Sequence, residues 1–511
     1  ARSPTPTPPH TDTPLTLMFT DTSGSRKEEC SRQPHALASL RSRPHARGPA
    51  PTTPRPQPHA RSCTLRRRRN KRFCRVFSAN DAYGIPVAAG GCGAYRKPCE
   101  QLVAVVTHFA SLGTQAGTPK HEALPEVVTS AEGPATRPEI FVSGALHGDE
   151  RVGPLATLWS MELMVHAAAC VEKGEDAAHC SDLTAAERSS VLFGGPAAAN
   201  ARLKWLSRLV RRRTLYAMPM TNARGFSLSR RDENGIDPNR DFAIDTKSTA
   251  CMRSVTARCV NELWRRHVFQ LAITFHGGME ALAYEWGAPS HNKQHGLRGS
   301  STDVSPDDNS QREATQLLSA VAGRFGRVGQ YKLSRMNSIV YPVNGGMEDW
   351  AYAASWDTPL FVKGGCASKG YSTSRTATYP NATNRAFMLL VECSNAKSGY
   401  PLGTREALFD SRSVESGHVA RNVRLMLAAL DVVEPYIAWV RKHDFLNSLC
   451  HSSRRRYRRR STEKPAYLAM RSGRCTQWPG RFSSARSGAR WRSRKRGAGG
   501  AAGTRQQETA S

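Results

Sequence analysis

The chain has 511 residues, 39% hydrophobic and 23% charged, with a formal net charge of +31. The length allows one large domain or two ordinary ones, because single cores stop growing near about 250 to 300 residues, and the apolar content is that of a globular protein. The charge is far beyond that of an ordinary soluble domain, but it collects in end segments such as Arg66-Arg67-Arg68-Arg69 and Arg454-Arg455-Arg456-Tyr457-Arg458-Arg459-Arg460. It therefore reads as solvated tail, and no basic patch with interleaved aromatics predicts a specific nucleic-acid partner.

In chain order, residues 1–75 are rich in Pro, Arg, Ser, Thr and His without apolar periodicity, and are expected to be a disordered basic tail. Residues 76–450 carry the predicted domain. Ile140–Gly144 reads as a short buried strand ending in a glycine turn, and Leu155 to Ala169 follows with helical spacing. Leu215–Met220, Leu271–Phe275 and Phe387–Val391 are further apolar runs of strand length. Helical segments are predicted at Val255–Val268, Gln311–Phe325 and Val419–Val440. Residues 451–511, dominated by Arg, Ser and Gly, are expected to be a second disordered tail. The alternation predicts an α/β fold with a largely buried mixed sheet, in which ligands sit just past the carboxyl ends of the strands.

No run of 18 or more apolar residues stands out, so no transmembrane segment is expected. The first residues carry neither an initiator Met nor an apolar leader, which leaves the compartment open. Eight central cysteines (92, 99, 170, 180, 251, 259, 366 and 393) and the sequon Asn381-Ala382-Thr383 tilt the reading toward a secreted or secretory-lumen protein. Their pairing is left open.

Three predicted strand ends carry chemistry. His147-Gly148-Asp149-Glu150 follows the first, His276-Gly277-Gly278 closes another, and Glu392 ends the last. Two histidines and a glutamate are a sufficient ligand set for a catalytic zinc, which takes three protein ligands and keeps an open position. A lone H-x-x-E carries little weight; its position after an apolar strand, with a remote His before two glycines, carries more.

Five blocks occur in one order: Gly144-Ala145-Leu146-His147-Gly148-Asp149-Glu150, Asp237-Pro238-Asn239-Arg240-Asp241-Phe242, Thr274-Phe275-His276-Gly277-Gly278, Tyr341-Pro342-Val343-Asn344-Gly345-Gly346-Met347-Glu348-Asp349-Trp350, and Leu390-Val391-Glu392. The chain thereby resembles the M14 zinc metallocarboxypeptidases, nearest to the regulatory branch and its protist relatives. The resemblance implies a single α/β domain around a twisted mixed sheet of about eight strands. It also implies a monomeric hydrolase that removes C-terminal residues from peptides or proteins with one zinc per chain. His147, Glu150 and His276 would be the metal ligands, Glu392 the general base and Arg230, or the adjacent Arg231, the group that stabilises the oxyanion. Asn239 and Arg240 would hold the terminal carboxylate, Tyr341 would close over the bound residue, Asp237 would orient a ligand histidine, and Glu348 would set the floor of the side-chain pocket. Gly287, with Glu285 two residues before it, falls where relatives of the regulatory branch draw part of their basic specificity.

Departures from the pattern are Asp149, where digestive members often carry arginine, and Asn222-Ala223-Arg224-Gly225 in place of N-P-D-G. A long stretch between His276 and Glu392 is expected to form surface loops around Ser290 to Asn309. The rival readings are an aspartoacylase- or desuccinylase-like zinc amidohydrolase, which the Gly-Gly-Met-Glu-Asp-Trp block disfavours, and an inactive peptide-binding pseudoenzyme.

Overall fold

Four apolar runs form the centre of the sheet. In the computed structural model, which describes residues 71–93, 95–111, 137–292, 304–354, 356–357, 360–376 and 386–433, the strands are β1 (Cys74–Ser78), β2 (Ala88–Cys92), β3 (Lys97–Cys99), β4 (Leu102–Val106), β5 (Glu139–Ser143), β6 (Thr214–Met218), β7 (Phe269–His276), β8 (Met279–Tyr284), β9 (Lys332–Arg335) and β10 (Phe387–Ser394). Eight of them make one mixed sheet, ordered β1-β4-β6-β5-β7-β10-β8-β9, and β2 pairs with β3 in a separate hairpin. The central strands β6, β5, β7 and β10 run parallel, with antiparallel pairings at β1/β4, β4/β6 and β8/β10. Parallel strands are covered on both faces, and so these four read as unbroken apolar runs.

Successive side chains feed two cores. Ile140, Val142, Ile273, Phe275 and Val391 face one; Phe141, Tyr216, Ala272 and Met388 face the other. On the first side lie the helices α1 (Val152–Glu172), α2 (Ala185–Leu192), α3 (Pro196–Arg212), α5 (Asp308–Ala322) and α6 (Gly417–Val432); on the second lies α4 (Val255–Trp264). Local chemistry sets several starts: Thr184 and Glu187 form a reciprocal capping box on α2, and the Ser254 hydroxyl accepts from the Ala257 N–H on α4.

All four predicted strands and all four predicted helices are present, within a few residues at each end except that the last helix is seen only to Val432, the positions from 434 on lying outside the described residues. Three differences stand out. β1 begins at Cys74, inside the segment expected as tail. α1 is apolar on every side and long enough to cross a membrane, yet 83% of its most apolar window is buried between α3, α6 and the sheet, as expected of a central helix. The long stretch before Glu392 also holds β9, a strand that the sequence pattern did not mark. The runs at Arg66 and Arg454, the sequon at Asn381 and positions 293–303 lie outside the described residues. Among the described residues the bridges with both ends placed are Cys92–Cys99, Cys170–Cys180 and Cys251–Cys366, while Cys259 and Cys393 are buried thiols.

Candidate active site

The carboxyl ends of β5, β7 and β10 converge on one pocket of about 250 Å³. His276 ends β7, and its register partner on the neighbouring parallel strand is Glu392, which places both side chains on the same face. His147 and Glu150 sit in the loop between β5 and α1. Gly148 is required there: a Cβ would lie 2.0 Å from the Gly225 carbonyl carbon and 2.6 Å from the Arg230 carbonyl oxygen.

The donor atoms of His147, Glu150 and His276 all lie within 4.8 Å of one another, and all three residues are buried. Nδ1 of His147 is 3.0 Å from Nδ1 of His276, and the Glu150 carboxylate reaches the two rings at 3.0 and 3.2 Å. Two imidazole nitrogens facing each other beside a carboxylate can hold a cation between them, and His₂Glu is a donor set suited to zinc. Burial alone would raise Glu150, but hydrogen bonds from both histidines hold it well below the usual carboxylate range. Asp237 accepts from Nε2 of His147 at 3.1 Å, so the ring nitrogen facing the cluster is left as its donor atom.

Glu392 is half-buried in the pocket wall; its Oε2 is buried without a hydrogen-bond partner. Burial pushes its carboxyl upward, with His276 opposing. At the mouth, Arg240 Nη2 lies 3.3 Å from the Tyr341 hydroxyl, and Tyr341 is 51% exposed. Asn239 is buried behind them. Gly345 makes this arrangement possible: it has φ +66°, and a Cβ would lie 2.5 Å from the Arg240 carbonyl oxygen.

Arg230 stands outside the pocket. Its side chain is 65% exposed and its ionic partner is Asp232 at 3.9 Å; it does not line the pocket, and Arg231 does. Neighbouring side chains in this non-helical segment point in different directions, so only one of the pair enters. Arg231 Nε donates to Asp237 at 2.9 Å, and Nη1 lies 3.1 Å from Nδ1 of His147. Glu348, expected at the pocket floor, is buried and lines the pocket, with its Oε1 3.1 Å from Nε2 of His276.

Sequence reasoning did not reach two lining residues. Lys397 donates to Asp149 at 2.8 Å and lies 3.6 Å from Glu150, supplying positive charge beside the aspartate that departs from the arginine pattern. Its place five positions after Glu392 was the available signal. Asp349 accepts from the Gly287 N–H at 3.0 Å, and burial pushes its carboxyl up to about 8. Glu285 lies buried and is raised by burial as well.

The zinc carboxypeptidase family profile matches residues 112–382, just over half the chain. That span takes in His147, Glu150 and His276 and stops ten positions short of Glu392. A curated relative, carboxypeptidase SOL1 of Arabidopsis thaliana, is 25% identical over 198 residues, which are 36% of this chain and 37% of that protein. The chain thus spans little more than a third of that relative's length. Among solved structures, carboxypeptidase A from Helicoverpa armigera is 12% identical, covering 71% of this chain and 70% of its own, with a TM-score of 0.38. A metallo-carboxypeptidase from Pseudomonas aeruginosa, in complex with (2-guanidinoethylmercapto)succinic acid, is 15% identical over 67% and 62%, with a TM-score of 0.31. Structural likenesses this loose add nothing to the assignment, which rests on the profile match: the chain belongs to the zinc carboxypeptidase family.

Proposed function

We propose that this protein is a zinc-dependent metallocarboxypeptidase that hydrolyses the last peptide bond of peptides or proteins. The observation that carries the reading is the meeting of His147, Glu150 and His276 within 4.8 Å, in a pocket shared with Glu392 and Arg240. His147, Glu150 and His276 would hold one zinc ion. When bound, zinc lowers the pKa of water to near neutrality and polarises the scissile carbonyl.

The chain's own groups do the rest. Glu392, with an unpartnered oxygen in the pocket, takes the proton of the attacking water and passes it to the leaving amine nitrogen. Arg231 replaces Arg230 as the cation beside the developing oxyanion, where fixed positive charge lowers the barrier most. Arg240 offers a planar fork to the terminal carboxylate, with Asn239 behind it, and Tyr341 covers the bound residue. Capture of that free carboxylate restricts cleavage to the chain end.

The test is to incubate the purified, zinc-loaded chain with a peptide and follow release of single C-terminal amino acids, with and without a chelator. Chelator-sensitive release, one residue at a time, is expected. Cleavage inside the peptide, or release indifferent to the chelator, would overturn the reading.

A further inference from the structure

His276 is held from both edges of its ring. Nδ1 faces His147 and Glu150, at 3.0 and 3.2 Å, while Nε2 lies 3.1 Å from Oε1 of Glu348. Glu348 is 3% exposed, and its Oε1 is also 3.3 Å from Nδ2 of Asn239. The Asn239 amide cannot be turned round, because its Oδ1 accepts from the Met347 N–H at 2.7 Å. Its donor side therefore faces Glu348, and one carboxylate oxygen is engaged by two neighbours. Oε2 lies back against Gly346, where a Cβ would sit 3.2 Å away. The second glycine of the Gly-Gly pair leaves the room in which this side chain folds toward β7.

A neutral imidazole carries one N–H. With a buried carboxylate at Nε2, the proton belongs there and the lone pair stays on Nδ1, aimed at the ligand cluster. The opposite tautomer would set an Nε2 lone pair against a buried carboxylate oxygen, with the Thr274 hydroxyl at 3.3 Å and the Asn239 amide at 3.5 Å as the neighbouring donors, and would lose the 3.1 Å charge-assisted contact to Glu348. Asp237 stands in the same relation to His147, at 3.1 Å from Nε2. A carboxylate that selected the substrate side chain would have to keep its oxygens for an incoming cation. Oε1 of Glu348 is instead committed to the histidine and to Asn239.

We propose that Glu348 is a positioning residue for His276: it fixes the Nε2–H tautomer and the plane of the ring, as Asp237 does for His147, and it does not choose the C-terminal side chain. This rests on the reading of His276 as a zinc ligand. Glu348 also ties that ligand to Asn239 on the carboxylate-binding segment, so the metal-facing and substrate-facing groups are aligned through one buried oxygen.

The test is zinc affinity, measured by competition with a chelator, for the full chain and for Glu348→Ala, Glu348→Gln and His276→Ala. The ratio of kcat/KM for peptides ending in Arg, Phe and Glu is measured alongside. Glu348→Ala is expected to weaken zinc binding by about 10- to 100-fold and to shift the absorption spectrum of the cobalt-substituted protein, while the ratios among the three peptides hold. Glu348→Gln keeps an acceptor oxygen without its charge and should fall between Glu348→Ala and the unaltered chain. It carries the test if the alanine variant does not fold. Zinc affinity unchanged in both variants, or a changed Arg-to-Phe ratio with zinc affinity intact, overturns the proposal. If His276→Ala itself binds zinc as tightly as the unaltered chain, the ligand assignment fails, and it does so independently of any result at Glu348.

Discussion

His276 and Glu392 are register partners on adjacent parallel strands, so a proposed metal ligand and the proposed base are spaced by the sheet itself. Loops can shift by an ångström at little cost; two hydrogen-bonded strands with buried faces cannot. Glu392→Gln should therefore keep the pocket and the metal, and lose only the proton acceptor. We expect kcat to fall by about 10²- to 10⁴-fold with zinc content unchanged. Turnover near that of the unaltered enzyme would place the base elsewhere.

The same carboxyl predicts the acid side of the pH profile. Burial raises Glu392 above the ordinary carboxylate value, and the base works only when ionised. Activity should therefore fall on acidification at a pH above the usual titration range of glutamate. Rate measurements from pH 4 to 8 check this, and an acid limb at or below about 4.3, the unperturbed value for Glu, would contradict it.

The two neighbouring arginines should separate cleanly. Arg231→Ala is expected to lower kcat/KM by roughly 10²- to 10³-fold, the scale of losing one transition-state donor. Arg230→Ala, at an exposed side chain, should stay within about twofold. The reverse order in steady-state kinetics would return the role to Arg230.

Much of this site was legible in the sequence, for a physical reason. His147, His276 and Glu392 follow or end apolar runs, and a buried parallel strand can be recognised by its unbroken apolar character. The edges were not legible: β9 reads Lys-Leu-Ser-Arg and is half-exposed, so nothing in its composition marks a strand. Nor could adjacency tell Arg230 from Arg231, because that depends on the path of the chain from Ser229, which has φ 53°, over Gly148. The orientation of Glu348 follows from Asn239 and Met347, 108 positions apart, a contact that no local pattern encodes.

Stability should depend on pH through Glu262 on α4. Burial pushes its carboxyl up, but Arg375, Arg266 and Tyr371, at 2.6 to 2.8 Å, outweigh it and bring it down to about 2. A carboxyl depressed on folding stabilises the protein at pH values above its unfolded pKa and loses that contribution as pH falls toward the folded one. The contribution, at most about 3 kcal/mol, should be present above pH 4.5 and lost between 4.5 and 2. Denaturant titrations of Glu262→Gln should show lower stability at pH 6 and a shallower decline below 4.5; an unchanged decline would discount the residue.

Two of the disulfides should differ in worth. Cys251–Cys366 closes 115 positions and Cys170–Cys180 closes 10. On the loop-entropy relation these correspond to about 5 and about 3 kcal/mol. Serine pairs at each bridge, compared by thermal unfolding, should rank in that order, and equal losses would mean that chain entropy is not what the long bridge restrains.

The apolar α1 imposes an order of events on synthesis. Val152–Glu172 emerges early, but one of the helices that covers it, Gly417–Val432, is made some 250 residues later. At about 5 to 20 residues per second, a helix apolar enough to pass for a membrane span stays incompletely covered for roughly 12 to 50 seconds. Early docking against α3, with which α1 packs closely, covers part of that surface before the last helix closes the fold.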